Sequence, residues 1–141
     1  MALRQRRTSN VLAKCCGLVP MSGRWQGHGA LLFDRDSDFV QLEIPGKHEE
    51  LTIAAWIKVD RLDFELNAIL NSAGYKPGGV QLQMNPQGFP RGGVIVAGSF
   101  KDKVMGSALQ MGAWAHVASV ISTSTRSPQI YVNGILVRER R

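Results

Sequence analysis

Three aspartates at alternate positions, Asp34, Asp36 and Asp38 in "DRDSD", have the spacing that opens a calcium-binding loop. Carboxylates at positions one, three and five of a loop are how oxygen-rich sites hold Ca²⁺. An EF-hand would also place Gly at position six and Glu at position twelve. Those positions are Phe39 and Pro45, so the loop is not an EF-hand. Two readings stay open. One is a weaker calcium site on Asp34, Asp36 and Asp38. The other, the commoner use of such a loop, is a polar turn whose carboxylates accept backbone N–H bonds. No other metal or cofactor is implied.

Hydrolytic chemistry on a sugar needs two carboxyl groups held about 5–5.5 Å apart as nucleophile and general acid. "DRLDFEL" offers Asp60, Asp63 and Glu65, but in a loop and at irregular spacing. His28, His48 and His116 are scattered, and nothing marks a nucleophile beside any of them. The aromatic residues Trp25, Trp56, Tyr75 and Trp114 could stack on a sugar ring. Trp56 and Trp114 fall inside strand patterns and are read as core, with His116 as a buried imidazole held by a backbone partner. Trp25 and Tyr75 lie near glycine-rich loops and are the expected ligand-binding residues.

These residues must be positioned by strands. "FVQLEI", "LTIAAWIKVD", "VQLQMN" and "AWAHVASVIS" alternate with period two, the mark of half-buried strands. In the second, Leu51, Ile53, Ala55, Ile57 and Val59 form one apolar face, and Thr52, Ala54, Trp56, Lys58 and Asp60 form the other. "ALLF" and "VIVAGSF" add shorter strands, and "KDKVMGSALQMG" reads as loop. "RLDFELNAILNS" fits a helical turn as well as a strand; a strand over Ala68–Asn71 is favoured. "QIYVNGILV" is a hairpin, because Asn133-Gly134 suits the type I′ turn, in which both central residues need φ > 0. Seven or eight strands separated by Gly, Pro and Asn turns predict an all-β protein, an antiparallel two-sheet β-sandwich or jelly roll.

The chain has 141 residues, 44% hydrophobic and 20% charged, which suits one domain with a real core. Its net charge of +6 resides at the ends. Residues 1–14 hold Arg4, Arg6, Arg7 and Lys14 and no acid; residues 126–141 hold four arginines against Glu139. The stretch between holds nine basic and ten acidic side chains and is close to neutral. Basic ends attract nucleic acid or anionic lipid without specificity, so no specific nucleic-acid partner is expected. No apolar run reaches the ~18–20 residues of a membrane span. The adjacent Cys15 and Cys16 make no disulfide framework. Lys14 and Pro20 interrupt "MALRQRRTSNVLAKCCGLVP", which makes a poor secretory signal. Residues 1–23 are read as an irregular basic segment.

Three stretches together resemble one family. "GALLFDRDSDFVQL", "LTIAAWIKVD" and "GAWAHVASVISTSTRSPQIYVNGILV" resemble, in order and spacing, the laminin-G-like domains of concanavalin A-like lectin/glucanase jelly rolls. The resemblance runs from Arg24 to Val137 and assigns residues 24–141 to one such domain. "GRWQGHGALLFDRDSDFVQLEIPGKHEELTIAAWIKVD" is similar to the version attached to bacterial FecR-like proteins. The family usually has a further strand before "ALLF" and several tens of residues after the Asn-Gly hairpin. Residues 1–23 stand in the place of the first, and the chain stops at Arg141. The resemblance therefore implies a sandwich incomplete at both ends, from a larger extracytoplasmic protein, with self-association through an open sheet edge. Some of these domains bind Ca²⁺ through loop Asp and Asn residues, which keeps the Asp34, Asp36 and Asp38 reading alive. Related glucanases use Glu-x-Asp-x-(x)-Glu, and no Glu-x-Asp occurs here. The expectation is a noncatalytic module that binds a carbohydrate or protein ligand. A ligand-free structural spacer is the alternative, and a glycan-active enzyme is disfavoured.

Overall fold

The structure is a computed structural model, and it describes residues 12–72, 76–96, 99–104, 107–122 and 128–137. Two compact units divide between His48 and Glu49. The sequence alone places a single boundary, at 23/24.

The first unit holds β1 (Leu12–Cys16), β2 (Val19–Ser22), β3 (Gly29–Leu32) and β4 (Phe39–Glu43). They make two antiparallel ribbons, β1 with β4 and β2 with β3. Residues 12–22 are thus two strands rather than an irregular segment. Lys14 and Pro20 hide them from a periodicity argument, because here pairing with β4 and β3 overrides weak local preference. Pro20, which has no N–H to donate, is tolerated because a two-stranded ribbon is all edge.

The second unit holds β5 (Glu50–Lys58), β6 (Asn67–Asn71), β7 (Val80–Met84), β8 (Pro90–Val96), β9 (Ser99–Val104), β10 (Trp114–Ser122), β11 (Gln129–Val132) and β12 (Ile135–Val137). Two four-stranded antiparallel sheets result, in the orders β12-β11-β10-β5 and β6-β7-β8-β9. This is an all-β sandwich. Between the sheets lie Ile53, Leu82, Met84, Ala115, Val117 and Ile121, with Leu109 from the loop before β10. The expected face of β5 is the inner one: Ile53 is buried and Leu51 and Ile57 pack beside it, while Thr52, Ala54 and Lys58 are exposed. The sheets come into close contact at Gly92 on β8. A Cβ there would lie 2.6 Å from Ser119 Oγ on β10 and 3.0 Å from Ile130 Cδ1 on β11. Ser119 is fully buried, and its hydroxyl has no hydrogen-bond partner among the described residues.

Two further differences from the sequence reading have local causes. Strand β8 starts at Pro90, ahead of "VIVAGSF", and β9 runs into the stretch read as loop. On β6 the register against β7 slips between Ala68 and Leu70. A bulge lets consecutive residues leave strict alternation, and both Ile69 and Leu70 pack on the core. That is why "RLDFELNAILNS" imitates a helical pattern. The terminal hairpin is as expected: Asn133 has φ 51° and Gly134 φ 82°, and they join β11 to β12 as a two-residue turn.

Candidate functional site

In the first unit, Asp38 is half-buried and turns back on its own loop. Its Oδ2 accepts the N–H groups of Asp34 and Arg35, both at 3.2 Å. Its Oδ1 faces Gly17, whose φ of +72° needs a glycine and where a Cβ would overlap that oxygen. Asp34 and Asp36 are exposed. The structure does not draw Asp34, Asp36 and Asp38 into one ligand set, and among the described residues no group of three or more His, Cys, Asp or Glu is placed to hold a metal ion.

Trp25 sits in the 23–28 loop between β2 and β3. The loop is closed by a 2.8 Å bond from Gly23 N–H to His28 O and a 3.1 Å bond from His28 N–H to Trp25 O. Trp25 is 41% exposed. The Arg24 guanidinium carbon lies 4.9 Å from its ring centroid, and the His28 ring stands edge-on at 6.3 Å. Beside them is an open cavity of about 610 Å³ lined by Pro20, Met21, Trp25, Gln26 and His28. Tyr75, the other expected ligand-binding residue, lies outside the described residues.

In the second unit the candidate acids are surface groups. Asp60 lies 3.8 Å from Lys58 Nζ, and Asp63 lies 2.9 Å from Arg61 Nε, with both carboxylates more than half exposed. Glu65 is exposed as well. Exposed pairs of this kind contribute little to stability.

The residue pairing reveals a different cluster. On β5 and β10 the core takes Ile53, Ile57, Ala115, Val117 and Ile121, so the intervening residues point to the opposite face. There Trp56 pairs with His116, Ala54 with Ala118, and Ala118 with Tyr131 of β11. The Trp56 and His116 rings are 5.2 Å apart and tilted by 56°. Trp56, His116 and Tyr131 are each half-buried, and Ala118 beneath them is 7% exposed. Tyr131 Oη donates to Gln129 Oε1 at 3.2 Å. The backbone under His116 is held by the hairpin turn: Asn133 Oδ1 accepts its N–H at 2.9 Å, and Asn133 N–H donates to its carbonyl at 2.8 Å. Trp56 and Trp114 are therefore not core residues, and His116 is packed by a ring neighbour rather than enclosed. The signal was in the alternation itself, because Trp56 shares its parity with Thr52 and Lys58.

A family model of laminin-G type, described as the concanavalin A-like lectin/glucanases superfamily, matches residues 34–141. The chain belongs to this family. No match was found among curated proteins or among solved structures. The concanavalin A-like match takes in the whole second unit, including Trp56, His116 and Tyr131, together with β4 and the Asp34–Asp38 loop. It starts after Trp25, so the loop that carries Trp25 lies outside the matched residues.

Proposed function

We propose that this concanavalin A-like domain is a noncatalytic recognition module, and that its ligand, a carbohydrate or a protein surface, meets the face of Trp56, His116 and Tyr131. The observation that carries this reading is the placement of three partly exposed rings on one sheet face beside the small residues Ala54 and Ala118. Rings beside small residues offer flat apolar contact with polar groups at the rim, which suits the faces of pyranose rings. The scattered surface carboxylates support a role without bond cleavage. We place it in a larger extracytoplasmic protein, as the resemblance of residues 23–60 to the version on FecR-like proteins implies.

The test is a glycan array followed by titration calorimetry on any hit, with Trp56→Ala and Tyr131→Ala beside the parent chain. Binding lost in both variants, with strand content retained by circular dichroism, is the expected result. A hit unaffected by either substitution would move the site elsewhere. No hit on glycans, and none on a displayed peptide library, would leave the spacer reading in its place. Reducing-sugar release above a boiled control would overturn the noncatalytic assignment.

A further inference from the structure

Strand β5 (Glu50–Lys58) is nine residues long, yet it lies at the end of its sheet. It pairs with β10 along its whole length, and among the described residues no other backbone hydrogen bond reaches it. Every second residue of an edge strand points its N–H and C=O away from the sheet. Natural edges of this length are blunted by a central charge, a proline or a bulge. Strand β5 has none of these. Residues 51–57 are uncharged and proline-free, and the register against β10 is unbroken. Glu50, Thr52, Ala54 and Lys58 are exposed, so this face of the strand is open.

The sequence of β5 is complementary to itself. A second copy related by a two-fold axis normal to the sheet would pair with it antiparallel, and directly opposed residues would share a face. The two residue numbers in each opposed pair must then have an even sum. The register that overlaps the whole strand centres the axis on Ala54. It sets Glu50 opposite Lys58 of the second copy, and by symmetry Lys58 opposite Glu50, so opposite charges close both ends. Thr52 meets Trp56, an aromatic and β-branched pair of the kind that stabilises sheets. Ala54 meets Ala54, small enough for close approach. On the other face Leu51 meets Ile57 and Ile53 meets Ala55, which continues the apolar layer. Sliding the copies by two residues one way sets Glu50 opposite Trp56, and the other way sets it opposite Asp60. Within one chain the two charges have loose partners: Ser122 Oγ donates to Glu50 Oε1 at 3.4 Å, and Lys58 Nζ lies 3.8 Å from Asp60.

We propose that β5 is the interface of a homodimer, in which the β5 edges of two copies pair antiparallel about Ala54 and join their four-stranded sheets into one. A strand of another protein would satisfy the backbone groups equally well. The matched charges at positions 50 and 58 single out a second copy. The pairing does not depend on the recognition reading above. Where both hold, the two faces of Trp56, His116 and Tyr131 share one sheet surface, with the tryptophans about 14 Å apart.

Sedimentation equilibrium of the full chain under reducing conditions tests this, with circular dichroism melts to confirm that each variant folds. The chain is expected to show a monomer–dimer equilibrium in the micromolar range, weakened by salt. Glu50→Lys or Lys58→Glu alone sets like charges opposite each other at both ends and should weaken the dimer about tenfold. The double variant Glu50→Lys/Lys58→Glu restores opposite charges and should recover most of that loss. Ala54→Glu sets two carboxylates against each other at the axis and should abolish the dimer. Ile135→Lys on β12, the other edge of the sheet, should leave it unchanged. A monomer at every concentration overturns the proposal. So does a dimer indifferent to both single reversals, or one that the double reversal weakens further than either. Loss of the dimer with Ile135→Lys would overturn it too, and would assign association to the β12 edge.

Discussion

The units before and after Glu49 are built from the same material, short antiparallel strands joined by glycine turns, yet they bury it differently. Among the described residues the first unit contributes one buried hydrophobic side chain, Ala30; every other buried hydrophobic residue, from Ile53 to Ile130, is in the second. The first unit leaves Val19, Met21, Trp25, Phe33, Phe39 and Ile44 between 37% and 50% exposed. Strand length and sheet width account for the contrast. Nine-residue β5 and β10 pair along their whole length and sit in four-stranded sheets, so each can present an apolar face to a facing sheet. Four- and five-residue strands in two-stranded ribbons have no such face to share, and ribbons of that kind are marginal alone.

The contrast is most easily broken by truncating one side chain in each unit. Leu82, fully buried between the sheets, should lose ~3–5 kcal/mol on substitution by alanine. Val19→Ala in β2, where the side chain is half exposed, should cost less than ~0.5 kcal/mol. Urea titration followed by circular dichroism measures both, and similar shifts of the two midpoints would show that the units share one packing regime.

A smaller effect sharpens the account of the second unit. Gly92→Ala should cost ~2–3 kcal/mol, because the new Cβ meets Ser119 Oγ and Ile130 Cδ1 across the sandwich. Ser119→Ala alone should be neutral or stabilise by up to ~1 kcal/mol, since it removes a buried hydroxyl without a partner among the described residues. The double variant should recover ~1 kcal/mol of the Gly92→Ala loss, a coupling that requires the two sheets to touch at this point. Strict additivity would mean they do not.

The sequence makes the second unit much easier to read than the first, for the same physical reason. Alternation in "LTIAAWIKVD", "VQLQMN" and "AWAHVASVIS" records a buried face, and Asn133-Gly134 records a turn that few other dipeptides can make. Strand β2 is exposed along its whole length, so composition leaves no trace of it. The bulge at Ile69 erased alternation where a strand exists. At the candidate sites, the exposure of Trp25 followed from its glycine-rich loop. The side of the sheet taken by Trp56 was legible from its parity but masked by the habit of placing tryptophan in cores. The inward turn of Asp38 depends on Gly17, a neighbour across the fold that spacing alone does not show.

The difference between the units is tested most directly by native-state hydrogen exchange resolved by residue. Amides of β10 at Val117 and Ser119, and of β7 at Leu82, should exchange only through global unfolding of the second unit, and their protection should fall with Leu82→Ala. Amides of β2 and β3 should exchange by local opening, orders of magnitude faster, and should ignore that substitution. Equal protection in both sets, falling together with Leu82→Ala, would contradict the account and make the two units one cooperative structure.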